Sequence, residues 1–129
     1  MKKAKSVLVI DDEDSVLAAM KDLLESKGYA VLEANNGVTG LKLLTEKAVD
    51  GVVLDLNMPR MDGYMFMEHL RNRWATEGMG RPFPKVLVLT AVDKNTDLGL
   101  ARNLGATNFM NKPFKSSEFI EAVKKLVQS

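Results

Sequence analysis

Short apolar runs alternate five times with amphipathic segments along this 129-residue chain, and no other feature narrows the fold so far. Val7-Leu8-Val9-Ile10 is apolar without interruption, as a strand covered on both faces should be. Val16, Leu17, Met20, Leu23 and Leu24 follow at the spacing of a helix that buries one side, and Gly28 is placed to end it. A second strand is expected over 29–34, then a turn or N-cap at Asn35-Asn36-Gly37 and a helical face of Val38, Leu41 and Leu44. The third strand, over 49–54, ends at Asp55. Residues 57–63 are loop chemistry, a third helix runs over about 64–74, and a Gly- and Pro-rich loop spans about 75–84. The fourth strand, over 86–89, ends at Thr90. Leu98, Ala101 and Leu104 mark a fourth helix stopped by Gly105, and residues 107–111 read as a short fifth strand. Phe119, Ile120, Val123, Leu126 and Val127 repeat the spacing of the first helix, with Ser116 as N-cap and Glu118 near the positive end of the dipole. This predicts an α/β fold in one domain over 1–129: a doubly wound, five-stranded parallel sheet with five helices on its two faces. Periodicity alone leaves the strand order open.

Composition removes several classes of function. Eighteen basic residues against 17 acidic leave a formal charge of +1, with no general pull toward nucleic acid or an anionic membrane. With no cysteine, disulfides, zinc-thiolate sites and thiol catalysis are excluded. The basic start, Met1-Lys2-Lys3-Ala4-Lys5, is followed by an apolar run that Asp11 cuts short, too brief for a signal peptide. Later apolar stretches fall well below spanning length. A cytoplasmic protein is expected.

In open α/β sheets, sites form beyond the carboxyl ends of the strands, at the topological switch point. Strand one ends in Asp11-Asp12, strand three in Asp55, strand four in Thr90, and strand five just before Lys112. Three carboxylates, a hydroxyl and an amine therefore converge on one rim. Two carboxylates about 4 Å apart repel by roughly 4 kcal/mol at an effective dielectric near 20, so a cation or a shared proton is needed to relieve three. Mg²⁺ suits an all-oxygen site and completes its shell with waters and a substrate phosphate. A carboxylate there can act as nucleophile on phosphorus, with Lys112 and the Thr90 hydroxyl binding phosphoryl oxygens.

Each residue also has a plainer reading. Asp11-Asp12-Glu13 can cap the first helix, Thr90 can be a β-branched strand end, and Lys112 before Pro113 can be a turn lysine. His69, in mid-helix, reads as a solvated or packing residue, and Met58, Met61, Met65 and Met67 read as core filler. What favours chemistry is the joint placement of the strand-end residues.

The segments Val7-Leu8-Val9-Ile10-Asp11-Asp12-Glu13, Leu54-Asp55-Leu56-Asn57-Met58-Pro59-Arg60-Met61-Asp62-Gly63, Leu89-Thr90-Ala91 and Asn111-Lys112-Pro113-Phe114 resemble receiver domains of two-component response regulators. The likeness runs in order over nearly the whole chain. It implies strand order 2-1-3-4-5, Asp55 as phosphoacceptor, and Mg²⁺ held by Asp12 directly, Asp11 mainly through water, Asp55, and the backbone carbonyl of Asn57. It further implies that Thr90, Ala91 and Lys112 bind the phosphoryl group, that the Lys112-Pro113 bond is cis, and that Thr90 and Phe109 form a switch pair altering the helix 4–strand 5–helix 5 surface. The implied partners are a sensor histidine kinase or phosphotransfer protein and a downstream protein target or output domain, with no direct nucleic acid and no membrane. No enzyme activity beyond the domain's own phosphorylation and dephosphorylation is implied. The chain departs from the pattern in its long 75–84 loop, expected to bear on partner choice, and in Phe109, which lacks a tyrosine hydroxyl.

Three other classes compete. An aspartate-nucleophile phosphatase would carry a second aspartate where Asn57 stands, and would need a cap over its substrate. A flavin or nucleotide module would want glycines at the first strand-to-helix turn, where this chain has Asp11-Asp12-Glu13-Asp14. A non-phosphorylated interaction module would not need the full set of site residues. No output domain is visible, so the chain reads as a stand-alone regulator or a fragment of a longer one.

Overall fold

The computed structural model describes residues 4–91 and 96–128. Strands β1 (Ser6–Ile10), β2 (Ala30–Ala34), β3 (Gly51–Asp55), β4 (Val86–Thr90) and β5 (Asn108–Asn111) alternate with helices α1 (Asp14–Glu25), α2 (Gly37–Glu46), α3 (Gly63–Glu77), α4 (Leu98–Asn103) and α5 (Ser116–Gln128). All strands pair in parallel, in the order β2-β1-β3-β4-β5.

Burial follows from that order. Every residue of β3 and β4 is buried, whereas the edge strands β2 and β5 stay partly open. Successive side chains serve opposite faces. Leu8, Ile10, Val52, Leu54, Val86 and Val88 pack on one side with residues from α2, α3 and α4. Val7, Val9, Val53, Leu87 and Leu89 pack on the other with α1 and α5. The chain reverses its winding between β1 and β3, so the crevice that receives ligands opens above those two strands.

Helix ends reveal which local signals held. Gly28, at φ 90°, donates to the Glu25 carbonyl at 3.0 Å, and the Tyr29 amide donates to Leu24 at 3.2 Å. This is the paired-bond stop that a left-handed residue allows, as Gly28 predicted. Asn36 caps α2 by accepting from the Thr39 amide at 2.8 Å.

Three expectations are corrected. Val38 is 66% exposed and not on the buried face of α2. That face is Gly37, Gly40, Leu41 and Leu44, because the missing side chains bring the helix against Ile10 and Met61; a Cβ on Gly40 would lie 2.6 Å from Ile10 Cδ1. Ser116 is the first residue of α5, and its cap position is Lys115, whose carbonyl accepts from Phe119 at 3.0 Å. Phe114 stacks on Phe119 with ring centres 5.3 Å apart, an apolar staple across the first turn that sets where α5 starts. Helix α3 runs three residues past Trp74, to Glu77, before Gly78 turns left-handed at φ 55°. The following loop is tied down: Trp74 Nε1 donates to the Arg81 carbonyl at 3.0 Å, the Arg81 guanidinium lies over the Trp74 ring and donates to the Leu44 and Thr45 carbonyls at the end of α2, and Phe83 meets Trp74 edge-on. Among the described residues, no helix is long and apolar enough to cross a membrane.

Candidate functional site

Asp11 directly follows β1 and extends its pairing, its amide donating to the Ala34 carbonyl at 3.2 Å. The side chain is therefore carried into the sheet's rim, where it is 1% exposed. Its Oδ1 accepts from the Glu13 amide at 2.9 Å, while its buried Oδ2 has no hydrogen-bond partner. Asp55 ends the central strand β3 and is 2% exposed. Its Oδ1 accepts from the Asn57 amide at 3.1 Å and lies 3.0 Å from Lys112 Nζ. Lys112 Nζ also stands 3.8 Å from Asp11 Oδ2. The lysine is aimed by its own backbone, since its amide donates to the Thr90 carbonyl at 2.8 Å as β5 runs out beside β4.

The β3–α3 loop is shaped by one close approach. Gly63 donates to the Leu56 carbonyl at 3.0 Å, and a Cβ there would sit 2.7 Å from Leu56 Cα. Only glycine lets the loop fold back so tightly over Asp55, after which Asp62 caps α3 through the Met65 amide at 2.9 Å. Asp12 completes the rim at its solvent edge. One carboxylate oxygen from each of Asp11, Asp12 and Asp55 lies within 4.8 Å of the others.

Burial, with the negative charges of Asp55 and Asp12, pushes the Asp11 carboxyl above its ordinary range; the Glu13 amide and Lys112 pull the other way and do not offset it. Three acids face one lysine, and one buried acid oxygen lacks a donor. An oxygen-only cluster with such an atom fits a hard divalent cation, and Mg²⁺ suits it.

Thr90 is fully buried, and its Oγ1 lies 3.5 Å from Asn57 Oδ1, which also accepts from the Ala91 amide at 3.2 Å. The sequence reading used Asn57 for its backbone carbonyl only. Its side chain reaches across to the end of β4 and engages the two donors expected to serve a phosphoryl group. No local signal marks this, because the partners lie more than thirty residues away in the chain. Asp11, Asp12, Asp55, Asn57, Thr90, Ala91 and Lys112 are thus brought to one rim. Phe109 lies apart on β5, half-buried, in register with Val88 and beneath the Arg102 guanidinium at 5.2 Å. The Lys112-Pro113 peptide is cis. His69 is exposed; Met58 and Met67 are core residues, whereas Met65 is 44% exposed.

The sequence model of the response regulator receiver domain family matches residues 7–124. The alkaline phosphatase synthesis transcriptional regulatory protein PhoP of Bacillus subtilis is 36% identical over 124 residues, covering 96% of this chain and 49% of that protein. The chain spans about half the length of the curated relatives it matches. Among solved structures, a response regulator receiver domain protein from Clostridium thermocellum superposes with a TM-score of 0.76 at 31% identity, over 96% of this chain and 94% of that one. The receiver domain of a Pseudomonas aeruginosa sensor histidine kinase, solved with a magnesium ion coordinated in its active site cleft, shares the fold at a TM-score of 0.82 and 23% identity, over 98% of this chain and all of that one.

Proposed function

This chain belongs to the response regulator receiver family, and from that membership we propose that Asp55 accepts a phosphoryl group from the phosphohistidine of a sensor kinase or phosphotransfer protein, with Mg²⁺ bound beside it. Receiver domains are phosphoacceptor signalling modules and not metabolic enzymes. The observation that carries the reading is the approach of Lys112 Nζ to Asp55 Oδ1 at 3.0 Å, inside a cluster of three carboxylates. A buried carboxylate held in place by a lysine and a backbone amide is an oriented nucleophile for phosphorus.

In the transfer, an Asp55 oxygen forms a bond to phosphorus while the P–N bond of the donor breaks, and the departing imidazole keeps the electron pair. Lys112 then pairs with a phosphoryl oxygen. The Thr90 hydroxyl and the Ala91 amide turn from Asn57 Oδ1 to the remaining oxygens. Asp11, Asp12, Asp55 and the Asn57 carbonyl would hold Mg²⁺, which when bound neutralises charge that develops on the transferred group. The phosphorylated form presents an altered α4–β5–α5 surface to a protein partner. The near-neutral charge supports a protein and not a nucleic acid as the ligand of this domain.

Incubation with a small phosphodonor and Mg²⁺, followed by mass mapping of the adduct, tests this. A single phosphoryl group on Asp55, lost in Asp55→Asn and blocked by chelation, is expected. Asp12→Ala should weaken Mg²⁺ binding more than Asp11→Ala. An adduct that persists in Asp55→Asn refutes the assignment.

A further inference from the structure

Helix α4 has few apolar anchors: of its six residues only Ala101 is buried. Its position is set by polar ties at both ends. The Asp97 amide donates to Tyr64 Oη at 2.7 Å, joining its start to α3, and Arg71 of α3 donates to the Asn103 carbonyl at its end. Between them, Arg102 lays its guanidinium over the ring of Phe109 at 5.2 Å. This contact links α4 directly to β5, at the one aromatic ring of that strand. The ring lacks the hydroxyl that would otherwise orient it, so the cation over its face is the directional contact it makes with α4.

We propose that Arg102 is a positioning residue for the switch: its stack on Phe109 holds the ring where it lies here and so sets the resting population of the signalling state. The inference rests on the phosphoacceptor reading of Asp55. The ring position belongs to the unphosphorylated arrangement, because Thr90 still faces Asn57 and Lys112 still pairs with Asp55. When Thr90 turns toward a phosphoryl group, the space it leaves can be filled by Phe109 only if the ring leaves the guanidinium. The stack therefore opposes the transition. An exposed cation–π contact shifts such an equilibrium by about two- to fivefold.

The test is a titration with beryllium fluoride, a phosphoryl mimic, in Mg²⁺, followed by amide chemical shifts of the full chain as wild type, Arg102→Ala and Arg102→Lys. In Arg102→Ala, the free-state resonances of Phe109 and residues 98–103 should lie part of the way along the line from free to saturated wild type. Its titration midpoint should fall by about two- to fivefold, and Arg102→Lys, which keeps the cation, should lie between the two. A role confined to stability would move the melting temperature and leave the midpoint alone. An Arg102→Ala midpoint equal to that of the wild type overturns the positioning role while leaving Asp55 as acceptor. A wild type that gives no response to the mimic overturns the phosphoacceptor reading and this proposal with it.

Discussion

Replacing Asp11 with Asn should stabilise the metal-free protein while weakening its hold on Mg²⁺. An Asp11 oxygen lies within 4.8 Å of one from Asp12 and one from Asp55, and each such repulsion is worth about 3.5 kcal/mol at an effective dielectric near 20. Lys112 Nζ, 3.8 Å from Oδ2, returns about 4.4 kcal/mol on the same scale. The lysine thus cancels one acid, and the second acid and the cost of burial remain. Asp12 is screened by solvent and Lys112 is shared with Asp55, which brings the net penalty to about 1–3 kcal/mol. Asparagine keeps the acceptor for the Glu13 amide and removes the charge. In chelator at neutral pH, the melting temperature should rise by about 4–12 °C, at ~4 °C per kcal/mol for a chain of this size. Mg²⁺ at a hundred times its dissociation constant should stabilise the wild type by about 2.7 kcal/mol, and the variant should lose most of that gain.

The pH dependence follows from the raised Asp11 carboxyl. The folded state binds this proton more tightly than the unfolded chain, so the penalty is complete above the raised value and gone below the ordinary range near pH 4. The gap between variant and wild type should therefore be widest near neutrality and close on acidification. Circular dichroism melts from pH 4 to 8, with chelator and with Mg²⁺, measure all of this. A variant that melts below the wild type in chelator at pH 7 refutes the electrostatic reasoning.

Other substitutions probe separate parts of the structure. Thr90→Ala should still accept a phosphoryl group on Asp55 but respond weakly at Phe109; a full wild-type change in amide shifts there would break the proposed coupling. Gly63→Ala places a Cβ 2.7 Å from Leu56 Cα, so it should cost about 1–3 kcal/mol in urea unfolding and weaken Mg²⁺ binding by moving the loop over Asp55. An unchanged unfolding midpoint would show that the loop yields. Arg81→Ala removes the stack on Trp74 and the donors to the end of α2, and should cost about 1–2 kcal/mol while leaving the phosphorylation rate of Asp55 unchanged. A slowed rate would mean that the 78–85 loop communicates with the site.

The sequence alone determined the elements and the rim. Uninterrupted apolar runs such as Val86 to Leu89 require a strand covered on both faces, and in a parallel sheet every such strand ends on the same side. Asp11, Asp55, Thr90 and Lys112 therefore had to share one edge of the sheet, and the order β2-β1-β3-β4-β5 is what makes them neighbours there. Gly28 and Asn36 acted as helix signals because their bonds are local, within three residues. Where a helix boundary or face depended on distant packing, local reasoning missed. Val38 was turned outward by two glycines that let α2 settle on Met61 and Ile10, and the start of α5 was set by Phe114 against Phe119. Only the tertiary structure decided that Lys112 reaches Asp55 at 3.0 Å, that one Asp11 oxygen lies buried without a donor, and that Asn57 engages the end of β4. It also placed Arg102 over Phe109 and Arg81 over Trp74. These are contacts of long, polar side chains whose reach exceeds the spacing of any periodic pattern, so their partners are fixed by how the helices pack on the sheet.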